Sequence, residues 1–273
     1  RQGVAGSTPG ADSRARGPLD VVPSVIEAGR RYPWSRRRPG YESLASRFAV
    51  LPGFRRVQAV EGSYAYWLRH LPLMAPGSPV RDYTGAMVYP GMGAIAAVVD
   101  LDVGKRDVQH CMDTVMRLRA EYLWWRGQGE RVRFRYVHGG YVGWSDWSRG
   151  MRPRKEGSRI HLQKSAPVDR SRASFDRYLF FMFMMTGSIH NIREPVVQWK
   201  DLQAGDFFVQ APPRPGSLGH AVVVIDIARN HRGEVIALLA EGFVPAQDMH
   251  VLAPPGGGTW FKMEPSTPVK TPI

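Results

Sequence analysis

Cysteine is almost absent from this chain of 273 residues, which contains only Cys111. A single cysteine cannot form an internal disulfide and cannot build a thiolate-rich metal site. Long apolar runs are also missing, because the longest candidate, "YLFFMFMM" at residues 178–185, falls well short of the roughly 20 residues that a membrane-spanning helix needs. We therefore predict neither a disulfide scaffold nor a membrane span.

Nucleotide-binding and metal-binding motifs are lacking as well. The chain has no "GxxxxGK" segment, and the glycines at 139, 140 and 143 do not follow the dinucleotide pattern. The segment "DLDVGKRD", residues 100–107, places three carboxylates near a glycine but does not have the spacing of a calcium-binding loop. We therefore predict no metal site, and no cofactor is implied.

Charge is plentiful and mostly positive. The chain has 37 Lys and Arg against 24 Asp and Glu, a formal net charge of +13. An excess of this kind attracts anionic partners such as a membrane surface, a cell-wall polymer or a nucleic acid. No helix-turn-helix, zinc-finger spacing or RNA-stacking motif accompanies it, so nucleic acid is the least favoured of these partners.

The charge is concentrated at the start of the chain. Residues 1–40 hold eight Arg against three acidic residues, and residues 1–32 are rich in Gly, Pro and Ser with no hydrophobic period. That composition predicts a disordered basic leader over 1–32. Beyond it, the 43% hydrophobic content of the chain, with eight Trp, ten Tyr and eleven Phe, can support a core. We predict a single α+β domain over 33–273.

Helical and strand periods alternate along this domain. We predict a short helix in residues 63–73, a central strand in 93–104, a half-exposed strand in 131–138, an aromatic loop in 139–150 and an apolar helix in 172–185. Three further strands are predicted in "AGDFFVQ", "GHAVVVIDIA" and "EVIALLAEGF". Consecutive strands of this kind form a meander, so the central sheet should be mostly antiparallel.

The lone cysteine lies near the start of another predicted helix, "VQHCMDTVMRLRAEYLWW". Asp107 is a plausible N-cap, and Cys111, Val115, Leu118 and Tyr122 share one face. A helix N-terminus lowers the pKa of a thiol and favours a nucleophilic thiolate. Free cysteine is also among the most frequently buried residue types, so Cys111 could equally be a small core residue.

A histidine and a carboxylate are predicted to meet on the last hairpin. His220 opens a strand after the loop "PPRPGSLG". If His231 and Arg232 form a two-residue turn, the register places Glu241 diagonally across from His220. A bulge at Gly233 would change that register.

These residues suggest roles in nucleophilic catalysis. Cys111 would be the nucleophile, His220 the general base and then acid, and Glu241 the group that orients the ring. The backbone N–H of Cys111 is a candidate oxyanion donor, and the side chain of Gln109 is a weaker one. The competing interpretation is structural: His220 would cap a strand end, and Glu241 would be a polar residue where a strand leaves the core.

The order of these residues resembles that of papain-like folds, in which a cysteine begins a helix and a histidine begins a strand after "GD…GH". NlpC-type cell-wall peptidases are the most similar group within that class. The resemblance implies a papain-like core with a mostly antiparallel sheet and a Cys-bearing helix.

A more specific resemblance covers roughly residues 32–261. The segments "GSYAYWLRHLPL", "AAVVDLDVGKRDVQHCMDTVMRLRAEYL", "GDFFVQAPPRPGSLGHAVVVIDIA" and "LLAEGFVPAQDMHVL" resemble the bacterial family known as domain of unknown function 4846. Members of that family often look exported, which implies an extracytoplasmic location, periplasmic or secreted after removal of a signal. The family has no assigned activity.

The chain departs from the family pattern at one of the candidate residues. It has "LLAEGFVPAQ" where "LLAQSYMPAQ" is expected, so Glu241 replaces a glutamine. A glutamine could orient a histidine or donate to an oxyanion, whereas an ionised glutamate can only orient the histidine.

An aromatic group is the candidate substrate-binding surface. Tyr141, Trp144 and Trp147 lie in the predicted loop, where such rings can stack on a sugar or line a peptide groove. They could instead belong to the core, which is the expectation for Trp124 and Trp125.

The sequence therefore predicts a thiol hydrolase that cleaves an amide or peptide bond, with cell-wall peptide as a possible substrate. The alternative is a catalytically inert glycan- or peptide-binding module of the same fold, with Cys111 as core packing. A third option is a polyanion-binding protein that depends on the basic leader.

Overall fold

The computed structural model describes residues 30–34, 42–89, 93–137, 139–157, 159–187, 197–212, 214 and 218–264. The predicted leader lies outside these residues except at its end. There, Arg31 and Tyr32 are 1% and 0% exposed, and the Tyr32 hydroxyl donates to the Trp67 carbonyl at 2.6 Å. Arg31 and Tyr32, at the end of the predicted leader, are therefore packed into the structure.

The described chain is a mixed α/β structure with a mostly antiparallel sheet. Its α-helices are α1 (Leu44–Arg47), α2 (Tyr64–Arg69), α3 (Cys111–Trp125), α4 (Trp144–Ser148) and α5 (Arg172–Met185). Its strands are β1 (Glu42–Ser43), β2 (Phe54–Arg56), β3 (Pro72–Leu73), β4 (Ile95–Val98), β5 (Arg133–Arg135), β6 (Tyr141–Gly143), β7 (Met151–Glu156), β8 (Arg159–Lys164), β9 (Phe207–Gln210), β10 (His220–Asn230), β11 (Val235–Glu241), β12 (His250–Leu252) and β13 (Phe261–Met263). No helix in these ranges combines the length and apolar character that crossing a membrane requires.

Strands β10 and β11 form the centre of a seven-stranded sheet. Strands β2 and β9 pair with different parts of β10, while β12 and β13 pair with different parts of β11. Strand β4 lies outside β12, at one end of the order β2-β10-β11-β12-β4. The prediction of a central strand in 93–104 is therefore wrong about position, because the longer apolar strands β10 and β11, buried on both faces, occupy the centre.

The turn between β10 and β11 is wider than the predicted two-residue turn. The N–H of Asn230 donates to the carbonyl of Glu234 at 3.1 Å, and Gly233 has a φ of +79°, a conformation that glycine adopts without strain. This turn shifts the strand register by one residue, as Arg229 lies opposite Val235.

A second irregularity in β10 cancels that shift. The register changes between Val224 and Asp226, so that Val223 lies opposite Ala240. The expected alignment therefore returns at the far end of the hairpin. Its continuation places Glu241 diagonally across from His220, as a two-residue turn would have done.

Helix α3 packs against β10 and β11 and begins at Cys111 itself. Its N-cap is His110, whose backbone N–H donates to Asp113 Oδ2 at 3.0 Å. Asp107, the predicted cap, instead accepts hydrogen bonds from the Ala246 N–H at 2.7 Å and from His110 Nε2 at 2.9 Å. The helix starts later than predicted because residues 104–110 form turns.

Candidate active site

Cys111 is the first residue of α3 and is 5% exposed. Its side chain belongs to the main hydrophobic core cluster, together with Met112 and Val115 from the same helix. The positive end of the helix dipole favours a negative charge at this position. The location suits both a nucleophile and a core residue.

His220 is the first residue of β10. Its Nε2 lies 2.8 Å from Glu241 Oε2, and its ring contacts Phe243 edge-on at a centroid distance of 5.1 Å. Cys111 is near enough to contribute to the pKa of His220. The three predicted residues therefore lie in one neighbourhood.

These contacts decide the charge of His220. Burial alone would lower its pKa, but hydrogen bonds with Cys111 and Glu241, and the charge of the carboxylate, outweigh burial and raise the pKa to about 9. The imidazole is therefore protonated at neutral pH and can pair with a thiolate.

Glu241 is the last residue of β11 and is 1% exposed. Burial would raise its pKa, but interactions with His220 and His250 reverse that effect and leave the pKa below its ordinary value. A buried carboxylate that stays ionised beside His220 can hold both the orientation and the charge of the ring.

His250 is a site residue that the sequence reasoning missed. It lies directly opposite Glu241 in the β11–β12 ladder, fully buried, with Nε2 3.6 Å from Glu241 Oε1 and Nδ1 3.0 Å from the Asp248 carbonyl. One histidine therefore flanks each side of the carboxylate. A histidine inside the short apolar run "MHVL" was the only sequence signal, and the pairing of β11 with β12 was not predicted.

Asp113, on the first turn of α3, was also missed as a titratable group. Its carboxyl is 4% exposed, and burial raises its pKa to about 8 despite hydrogen bonds from backbone N–H groups. A carboxyl that is largely protonated at neutral pH does not repel a thiolate two residues away.

The two predicted oxyanion donors differ in what surrounds them. Cys111 occupies the first helical position, where a backbone N–H has no acceptor within the helix. Gln109 is 4% exposed, and its Oε1 accepts a hydrogen bond from Arg117 Nη1 at 2.6 Å. Its Nε2 has no hydrogen-bond partner within the described ranges. Arg117 therefore holds the amide through its oxygen and leaves the N–H donors unused.

A close contact holds the start of α3 against the end of β11. A Cβ built on Gly242 would lie 2.4 Å from Thr114 Oγ1, and that hydroxyl donates to the His110 carbonyl at 2.9 Å. Only glycine fits this approach without movement, and it follows Glu241 directly. The sequence reasoning did not single out this glycine.

The predicted aromatic surface is mostly core. The segment predicted as a loop forms β6 and the short helix α4. Trp144 is 6% exposed and packs edge-on against Phe175 of α5 at a centroid distance of 5.2 Å. Trp147 is 7% exposed and packs against Tyr178, also of α5, at 5.8 Å. The loop prediction is wrong because these rings pack in the interface between α4 and α5.

Tyr141 differs from the two tryptophans. It is 42% exposed, and the guanidinium groups of Arg133 and Arg135 each lie 4.9 Å from the centre of its ring. Of the three predicted binding residues, Tyr141 alone presents an accessible ring. In the part of the chain that the structure describes, no group of three or more His, Cys, Asp or Glu residues is arranged to hold a metal ion.

Comparison with known protein families gives one decisive finding. The model of the family described as domain of unknown function 4846 matches residues 44–273, most of the chain and the whole candidate site. The chain belongs to this family. Comparisons of this domain of unknown function 4846 protein with curated proteins and with solved structures gave no match.

Proposed function

We propose that this protein is a thiol hydrolase that cleaves an amide or peptide bond through an acyl-enzyme on Cys111. One observation carries the proposal: a cysteine at a helix start shares a histidine with a buried, ionised glutamate. Helix N-terminus, imidazolium and orienting carboxylate are the features that activate a thiol.

The proposed reaction has two stages. Cys111 Sγ attacks the carbonyl carbon of the substrate, and protonated His220 gives its proton to the departing amine, leaving a thioester. His220 then accepts a proton from water, which attacks the thioester and releases the acid and the free thiol. The Cys111 N–H would donate to the oxyanion in both stages, and Glu241 would hold the ring throughout.

The proposal includes a papain-like arrangement and a substrate drawn from cell-wall peptides outside the cytoplasm. Support for the first comes from the Cys-bearing helix packed against an antiparallel sheet whose strand β10 begins with the histidine. Support for the second comes from the net charge of +13, which attracts anionic polymers, and from the exported look of related sequences.

A second candidate function is a binding module without catalysis. The observation that favours it is the 5% exposure of Cys111 and its membership of the core cluster. In that case the thiol would be inert, and the ligand would be retained after Cys111 is replaced.

Alkylation of Cys111 tests thiol activation directly, because the chain contains no other cysteine. At pH 6.5, iodoacetamide should modify the wild-type protein at least about tenfold faster than the His220→Gln variant, since a thiol without an imidazolium partner is mostly protonated there. His161→Gln, at a half-exposed histidine away from Cys111, is the matched control and should react at the wild-type rate. Equal rates in wild type and His220→Gln would support the inert module.

Turnover provides the second test. The wild-type protein is incubated with a mixture of peptides and isolated cell-wall stem peptides, and new termini are detected by mass spectrometry. Cleavage that disappears in Cys111→Ser supports the hydrolase. An activated thiol without cleavage of any amide, or cleavage that survives in Cys111→Ser, would contradict it.

A further inference from the structure

A cleft of about 770 Å³ runs along α3. About three turns of the helix contribute to its wall, from Met112, the residue after Cys111, to Leu123. Phe207 of β9 and Phe134 of β5 line it from other elements. Met112 directly follows Cys111, and Val115 lies one turn beyond it, so two neighbours of the cysteine along α3 line the cleft.

The charge of the cleft is strongly one-sided. Its described lining contains a single carboxylate, Asp206, and four arginines: Arg119, Arg131, Arg133 and Arg135. Burial raises the pKa of Asp206, which weakens the one negative charge further. An anion in the cleft would meet an excess of positive charge.

The arginines are held in place by groups that do not neutralise them. Arg119 lies over the Tyr64 ring at 5.1 Å, and Arg133 lies over Tyr141 at 4.9 Å. Arg131 donates to Gln128 Oε1 at 2.9 Å. Within the described ranges, these three guanidinium groups have no carboxylate partner, and all three residues are exposed.

The apolar residues that α3 contributes to the lining are buried, in contrast to the arginines. Met112, Val115 and Met116 are 2%, 7% and 4% exposed. The cleft therefore has an apolar floor and a cationic rim. A ligand that fits both carries apolar groups and negative charges along one extended chain.

From this we infer that the cleft holds the substrate of the proposed hydrolase, and that the substrate is an acidic peptide. The inference rests on the proposed function and names its substrate class. Arg119 lies eight residues beyond Cys111, a distance of about 12 Å along a helix axis. An extended peptide advances about 3.3 Å per residue, so the acidic side chain that meets Arg119 lies about three or four residues from the cleaved bond.

Binding is measured with the Cys111→Ala protein, so that cleavage does not interfere. The probes are three rhodamine-labelled octapeptides in which leucine alternates with glutamate, glutamine or lysine, and the readout is fluorescence anisotropy at low salt. The glutamate peptide should bind about tenfold tighter than the glutamine peptide, as expected for three exposed ion pairs. The difference should shrink as salt is added, and the lysine peptide should bind most weakly.

Variants of the rim locate the effect. Arg119→Gln and Arg133→Gln should each weaken binding of the glutamate peptide by about two- to fivefold, with little change for the glutamine peptide. Arg232→Gln is the matched control, because Arg232 is an exposed residue in the turn at the opposite end of β10 from His220. Equal binding of the glutamate and glutamine peptides, or an equal loss in the control, would overturn the inference.

Three further outcomes separate this inference from its alternatives. An oligothymidylate of eight nucleotides that binds the same protein more tightly than the glutamate peptide, with the same dependence on Arg119 and Arg133, would overturn it in favour of nucleic acid. If the wild-type enzyme cleaves neutral peptides as well as acidic ones, the inference fails and the hydrolase stands. Tight, arginine-dependent binding of the acidic peptide without cleavage supports the site while the hydrolase fails.

Discussion

The β10–β11 hairpin carries one buried carboxylate near each end, and the two are held in opposite ways. Asp226, towards the turn, is fully buried and accepts from Arg56 at 2.7 Å and from Arg69 at 2.8 Å. Glu241, at the far end, has His220 at 2.8 Å and His250 at 3.6 Å. Arginine stays charged at every physiological pH, whereas histidine titrates.

The difference gives the two carboxylates different roles: Asp226 anchors the hairpin, and Glu241 belongs to a site whose charge depends on pH. Asp226 lies at the register shift in β10, and its Oδ1 also accepts from the Ile227 N–H at 2.9 Å, so its permanent ion pairs hold the backbone that sets the alignment further along. Glu241 benefits from that alignment, and its partner His220 has a pKa raised to about 9. One hairpin thus contains both the structural anchor, Asp226, and the candidate catalytic residue, Glu241.

The largest expected effect comes from removing the anchor. Asp226→Asn would leave Arg69, which is 2% exposed, without a counter-charge, and should lower the free energy of unfolding by about 3–5 kcal/mol. Urea titration followed by circular dichroism measures the change. Asp176→Asn removes a more exposed ion pair with Arg172 and should cost less than about 1 kcal/mol. Similar losses in the two variants would contradict the role of Asp226.

The next effect concerns the pH dependence of stability at the other end. The pKa of His220 is raised to about 9 from an unfolded value near 6.5. Its contribution is therefore complete below about pH 6.5 and is lost as the pH rises through 9. Glu241→Gln removes the main charge that keeps the ring protonated, so the fall in unfolding free energy between these pH values should shrink by roughly 1–2 kcal/mol.

Comparing the wild-type protein with Glu241→Gln isolates the contribution of His220 to the pH dependence of stability. Asp113, with a pKa of about 8, also destabilises the folded state as the pH rises, but it does so in wild type and variant alike. Urea titrations at pH 6.5 and 9 measure how far the unfolding free energy falls with pH in each protein. An unchanged fall in Glu241→Gln would show that Glu241 does not control the charge of His220.

A local effect is expected where the end of β11 meets the start of α3. Gly242→Ala forces Thr114 Oγ1 away from the new methyl group and should cost about 1–3 kcal/mol, while slowing alkylation of Cys111 because the helix start moves. The double variant Gly242→Ala with Thr114→Ala removes the clashing oxygen and should recover most of both losses. Failure of the double variant to recover either quantity would contradict the close approach as their cause.

The parts of the site that the sequence predicted are the helix and strands, whose formation depends on residues adjacent in the chain. The helix bearing Cys111 and the strands bearing His220 and Glu241 follow from hydrophobic periods, which are a local property. The contact between His220 and Glu241 was reached through an assumed turn that the structure does not contain. The predicted alignment holds because the wider turn and the irregularity before Asp226 offset each other.

The aromatic segment shows the opposite case. Its glycines and polar residues favoured a loop, and the two tryptophans were assigned to a surface. Burial against α5 stabilises a short helix there that local propensity does not predict. Strands β7 and β8 were not predicted either, because polar residues occupy most of their positions, and only Ile160 and Leu162 in β8 alternate with them.

By itself, the sequence determined the α+β class, the family, the absence of a disulfide, and the helix and strands that bear Cys111, His220 and Glu241, because periodicity and motif order are properties of adjacent residues. Tertiary structure alone decided that His250 flanks Glu241, that Arg56 and Arg69 hold Asp226, that Gly242 admits the start of α3, and that four arginines line the cleft along α3. These features join segments far apart in the chain, and the packing of the whole core brings them together.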